Sequence, residues 1–109
     1  MVMTLLESEY NDLIDDIYNR IEDQVDELTQ DLDVDSSGSV LTITFPNSSQ
    51  VILSRQVATH EIWVAAKSGG FHLHLTEGQW VCRTTAENLP TLLSRTFTEQ
   101  LGESVNLLV

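Results

Sequence analysis

The sequence predicts an α+β sandwich in which two helices cover one face of an antiparallel sheet of about six strands. Three observations predict it. The first apolar stripe has a helical period, the middle of the chain alternates in short runs, and the last stretch returns to a helical period. The links between the alternating runs are a few residues long. Parallel pairing needs a crossover of roughly a dozen residues, so consecutive strands are expected to be antiparallel. At 109 residues and 41% apolar, the chain has material for one modest core, and residues 1–109 are read as one domain.

Residues 5 to about 28 read as one amphipathic helix. Leu6, Tyr10, Leu13, Ile14, Ile17, Ile21, Val25 and Leu28 recur at steps of three and four, with acids between them and no Pro or Gly. At Asp31 the period becomes two. Asp31-Leu32-Asp33-Val34-Asp35 places three carboxylates on one strand face and two aliphatics on the other. Further strands are expected over 40–45, 51–54, 61–65, 71–75 and 79–82, with turns at Pro46-Asn47-Ser48-Ser49, Gly69-Gly70 and Glu77-Gly78. The closing helix carries the stripe Leu89, Leu92, Leu93, Phe97 and Leu101. A capping box at Thr84-x-x-Glu87 is expected to open it and Gly102 to end it. The tail, Val105-Asn106-Leu107-Leu108-Val109, is too apolar to be left free in water.

Charge is the strongest functional signal. Twelve of the seventeen acids lie in the first 35 residues against Arg20 alone, so nearly all of the net charge of −12 sits there. Concentrated like charge costs self-repulsion, and like-charge (i, i+4) pairs such as Asp12/Asp16, Glu22/Asp26 and Asp23/Glu27 destabilise a helix by a few tenths of a kcal/mol each. A solvated face normally mixes signs, which favours a cation site or a basic partner over a plain solvated face with a charge-guarded edge. Carboxylate oxygens suit hard cations, and an open ridge binds them weakly at several places. The Asp31-x-Asp33-x-Asp35 run is not an EF-hand, because Ser36 stands where the loop needs Gly and Thr42 where it needs Glu.

The same charge argues against nucleic acid and anionic membranes as partners. No apolar run approaches the ~20 residues of a membrane span, and the N-terminus lacks the features of a secretory signal. The lone Cys82 excludes an internal disulfide and fits a reducing cytosol. No nucleophile constellation, phosphate loop or paired-Cys zinc motif is present. His72 and His74 share a strand face with no third ligand in view. Trp63 is expected on the same open side, where an aromatic suits a partner contact, whereas Trp80 reads as core.

The helix and acidic ridge, followed by Val40-Leu41-Thr42-Ile43-Thr44-Phe45, Ser54-Arg55-Gln56, the stretch from Ile62 to His72 and Trp80-Val81-Cys82, together resemble the bacterial frataxin (CyaY) family over essentially the whole chain. The resemblance implies a cytoplasmic bacterial protein of iron–sulfur cluster assembly that binds Fe2+ and Fe3+ weakly, other divalent or trivalent cations substituting. It implies docking on the cysteine desulfurase, with the iron–sulfur scaffold protein as a second partner, and a monomer that iron can drive to oligomers. Carried over residue by residue, the metal ridge is Asp15, Glu22, Asp23, Asp26, Glu27, Asp31, Asp33 and Asp35. The partner surface is Glu22, Asp23, Asp26 and Trp63. No catalytic residue is implied, and a weak ferroxidase turnover is the one activity left open. The alternative is an interaction module whose ridge serves only a basic protein partner, with metal binding incidental.

Overall fold

The computed structural model describes residues 6–28 and 32–109, which form two helices and one sheet. The order is α1 (Glu7–Asp26), β1 (Asp33–Ser37), β2 (Val40–Thr44), β3 (Gln50–Gln56), β4 (Glu61–Ala66), β5 (Gly69–Thr76), β6 (Gln79–Cys82) and α2 (Leu89–Leu101). The strands lie side by side in sequence order, every pair antiparallel, so β1 and β6 are the edges. This is the α+β sandwich the periodicities predict.

α1 buries Tyr10, Ile14, Ile17, Tyr18, Ile21 and Val25. Leu6 and Leu13, read as part of the stripe, are instead exposed at 61% and 40%. Tyr18 takes its place on the buried face, and its hydroxyl reaches the Ser39 and Leu53 carbonyls at 2.9 and 3.2 Å. At the helix start the Glu9 carboxylate accepts from the Leu6 N–H. Under the helices the sheet presents Leu41, Ile43, Val51, Leu53, Ile62, Val64, Leu73, Trp80 and Cys82, all buried. Period two sends Thr42, Thr44, Trp63 and His72 to the open face.

Three expectations at the element ends are corrected. The opening of α2 is not a capping box at Thr84 and Glu87. Asn88 is the N-cap, its side chain accepting from the Thr91 N–H at 3.0 Å, with Pro90 in the first turn. Residues 83–87 instead form a tight return in which Ala86 N–H donates to the Cys82 carbonyl and Cys82 N–H to the Glu87 carbonyl. Gly69 and Gly70 are not the turn; they open β5 opposite Ala66 and Ala65, and Lys67-Ser68 make the reversal. The first strand runs on through Ser36 and Ser37, while Asp31, expected to begin it, lies outside the described residues. Gly102, at φ +80°, ends α2 as expected. At Glu77-Gly78 both φ values are positive, the conformation that matches a two-residue hairpin to the sheet twist.

Gln100 is buried and fully used. Its amide donates to the Ser49 hydroxyl and Gln50 carbonyl and accepts from the Lys67 N–H, clamping the end of α2 to two sheet turns. The tail lies between the helices. Val105 and Leu107 are buried, their N–H groups donating to Thr98 and Ser94 of α2, while Leu108 bonds to Gln24 of α1.

Candidate functional site

The C-terminal half of α1 runs beside the sheet edge formed by β1. Glu22 and Asp26, one turn apart, line a shallow groove of about 150 Å³ whose other wall is Val34 and Ser36. Asp23, Asp26 and Glu27 are exposed at the end of the helix, where no basic residue occupies the last turn. They crowd one another and also face the negative end of the helix dipole, which disfavours acids there by about 0.3–1 kcal/mol each. A cation bound among them relieves both penalties.

Register places the strand acids. Asp33 lies opposite Thr44 and Asp35 opposite Thr42, so both carboxylates share the open face with those threonines. Val34 and Ser36 turn toward the helix. The two acidic sets thus flank the β1 edge from its two sides, with the Val34–Ser36 groove wall between them, rather than forming one flat ridge. Among the described residues no three His, Cys, Asp or Glu side chains converge as a metal cage. The donor set is hard oxygen on an open surface, which fits weakly held hard cations.

Asp15, at the other end of the ridge, has a different environment. Arg55 Nη2 meets Asp15 Oδ1 at 2.6 Å and Nη1 meets Asn11 Oδ1 at 2.9 Å, with the guanidinium carbon 5.2 Å from the centre of the Tyr18 ring. Burial pushes the Tyr18 phenol up to about 12 despite that cation. The sequence reading missed this pairing of Arg55. The signal was present: Val51, Leu53 and Arg55 alternate onto the buried face of β3, and a cation there demands a partner. Asp16 pairs with Arg20 at 2.8 Å, both side chains more than half exposed.

On the open face Trp63 is 37% exposed and lies flat on His72, ring centroids 4.2 Å apart and planes 7° apart. The rings face each other because Trp63 and His72 are directly opposite in the β4–β5 register. Glu61 accepts from the Thr59 hydroxyl at 2.9 Å and from the Trp63 indole N–H at 3.3 Å. The Thr59 bond first, and then the Trp63 bond, hold its carboxyl below the usual range against the opposing effect of burial. Arg83 donates to His74 Nδ1 at 3.3 Å, and with Glu61, Gly70, His72 and Thr84 it lines a shallow cleft. Trp63 and the two histidines thus stand on β4 and β5, three or more strands from Asp33 and Asp35 on β1, and Glu61 is the carboxylate beside them. Cys82 is core, 1% exposed. Burial raises its thiol pKa, but hydrogen bonds to Thr84 and Thr85 outweigh this and bring it down to about 7.

With this geometry in view, comparison with known proteins is specific. The family model described as a Frataxin-like domain matches residues 3–103. The iron-sulfur cluster assembly protein CyaY of Stutzerimonas stutzeri is 47% identical over 105 residues, covering 94% of this chain and 96% of the relative. The protein of the same name from Azotobacter vinelandii is 41% identical over 105 residues, with the same coverage of 94% and 96%. Among solved structures, frataxin from Psychromonas ingrahamii superposes with a TM-score of 0.85 at 32% identity, covering 94% of this chain and 98% of the other. Trimeric yeast frataxin complexed with ferrous iron shares the fold, with a TM-score of 0.71 at 21% identity over 94% of this chain and 92% of that one.

Proposed function

The chain belongs to the frataxin family, and from that premise we propose that it serves iron–sulfur cluster assembly by binding iron weakly on its acidic edge and docking on the cysteine desulfurase. The relatives are named for assembly and not for a reaction, and no catalytic step is assigned to this chain. The observation that carries the reading is the placement of Glu22, Asp23, Asp26 and Glu27 at the negative end of α1 with Asp33 and Asp35 across the β1 edge. Those groups repel one another in the folded protein, and the fold gains by bringing a cation to them.

Fe2+ and Fe3+ accept carboxylate and water oxygens, and with no cage they bind loosely and exchange readily. The same field steers a basic patch of the desulfurase toward the ridge and raises the rate of encounter. Trp63, exposed on the open sheet face and held flat by His72, supplies a rigid aromatic anchor for the same partner. Bound iron reduces the ridge charge and thereby tunes docking. The scaffold protein is a further partner in this reading.

A second reading is favoured by the lack of a three-ligand cluster among the described residues: the acids serve the basic partner alone. Desulfurase binding measured across a salt series, with and without Fe2+, separates the two. Iron-dependent affinity that disappears in Asp23→Asn/Asp26→Asn supports the iron-binding reading. Docking that the variant abolishes at every iron level, and that iron leaves unchanged, supports the second. Docking indifferent to salt, iron and the variant overturns both.

A further inference from the structure

We propose that Arg55 is a built-in counter-cation that withdraws Asp15 from the metal-binding surface and so confines bound cations to the far end of α1 and the β1 edge. The inference rests on the reading of the ridge as a metal surface and says which of its carboxylates are available.

Arg55 rises from the inner face of β3, and its side chain is only 11% exposed, whereas that of Asp15 is 61% exposed. The guanidinium cannot shed its proton at any relevant pH. Its two Nη atoms are committed to Asn11 and Asp15, its carbon lies over the Tyr18 ring, and its buried Nε has no hydrogen-bond partner. A cation that captured Asp15 would therefore leave a permanent charge buried with one neutral partner, a state that is strongly penalised. It would also come to rest within a few ångströms of that like charge, in surroundings that screen it poorly.

The Asp16–Arg20 pair offers no comparable protection, because both groups are exposed and such pairs are weak. Glu22, Asp23, Asp26 and Glu27 have no basic partner among the described residues. Of the ridge carboxylates, Asp15 is thus neutralised by a buried cation while Glu22, Asp23, Asp26 and Glu27 are not, and one residue of the sheet sets the difference. The device works through charge: a lysine at position 55 preserves it, and an apolar side chain removes it.

The test follows Mn2+, a paramagnetic hard cation, by calorimetry and by broadening of backbone amide signals in the full chain. Asp15→Asn is expected to leave affinity unchanged within about twofold, while Asp26→Asn weakens it by about threefold or more. Arg55→Met is expected to add broadening around Asn11–Asp16, and Arg55→Lys to add none, although both lose the forked contact. Asp15→Asn weakening binding as much as Asp26→Asn overturns the proposal, and this arm leaves Arg55 in place. Broadening in Arg55→Met that stays confined to residues 22–35 overturns it as well. If neither aspartate variant weakens binding, the metal reading of the ridge itself fails and the proposal falls with it.

Discussion

Gln24 and Leu108 exchange two hydrogen bonds: the Gln24 amide donates to the Leu108 carbonyl at 2.8 Å, and the Leu108 N–H donates to the Gln24 carbonyl oxygen at 2.7 Å. A side chain on the acidic helix thereby satisfies both backbone groups of one tail residue. Ser94 and Thr98 hold the tail from the α2 side, so the last residues close the seam between the helices.

Closing that seam buries Leu107 to 1% exposure. Leu107→Ala is expected to lower unfolding free energy by about 2–5 kcal/mol, the usual range for a buried leucine. Leu108→Ala, at a residue 72% exposed, is expected to change it by less than about 0.5 kcal/mol. Urea unfolding of the two variants side by side checks the contrast, and equal losses would refute the packed tail.

Trp63 is exposed and Trp80 is buried, so the same substitution should have opposite readouts. Trp63→Ala is expected to leave the melting temperature near that of the parent and to weaken desulfurase docking about tenfold, the effect of losing about 1.4 kcal/mol at an interface anchor. Trp80→Ala is expected to cost about 3–5 kcal/mol of stability. Thermal melts paired with a binding titration distinguish the two; full docking by Trp63→Ala would remove that side chain from the interface.

Arg95 binds both oxygens of Glu87, at 2.8 and 2.9 Å, and Glu99 at 2.9 Å. The Arg95 bond first, against the opposing effect of burial, holds the Glu87 carboxyl below its usual value. A depressed folded pKa contributes stability at pH above the unfolded value of about 4.3, and that contribution is lost as pH falls through the folded value. Glu87→Gln is therefore expected to be less stable than the parent at neutral pH, with the gap closing below about pH 4. With Arg95 about one-third exposed, solvent screening keeps the effect to about 1 kcal/mol. Urea midpoints measured from pH 7 to pH 3 test it, and a gap constant across that range would contradict the assignment.

Loading the ridge should stabilise the fold by mass action, because the site is assembled only when α1 and β1 are in place. With ion at about a hundred times its dissociation constant, the gain is about 2.7 kcal/mol per site, a rise of several degrees in melting temperature. Asp23→Asn/Asp26→Asn should melt higher than the parent without metal and gain less from it. Metal-free melts in which the double variant is the less stable protein would count against the repulsion argument.

Much of this architecture is legible in the sequence, because periodicity is a local signal. The switch from steps of three and four to alternation near Asp31 separates α1 from the strands, and strand links of a few residues leave an antiparallel meander as the simple solution. What resisted reading was set by partners distant in sequence or by competing local solutions. Thr84 and Asn88 are both good N-cap residues. The choice fell to Asn88 because the backbone of 82–87 closes on itself, leaving Glu87 to Arg95. Asp15 looks like its acidic neighbours until Arg55, forty residues away, is brought against it by the packing of β3 on α1. The placement of Asp33 and Asp35 across the edge from Glu22 and Asp26 follows from register, which no local pattern specifies.

The central claim, that cations collect on this edge and not at the histidines of the open face, is tested most directly by anaerobic titration of Fe2+ into the labelled protein with amide signals followed by NMR. The account predicts that signals of residues 22–27 and 33–35 broaden first and at low metal ratios, while those of Trp63, His72, His74 and Arg83 persist. Broadening that begins at His72 and His74, or that spreads evenly over the chain, would contradict it.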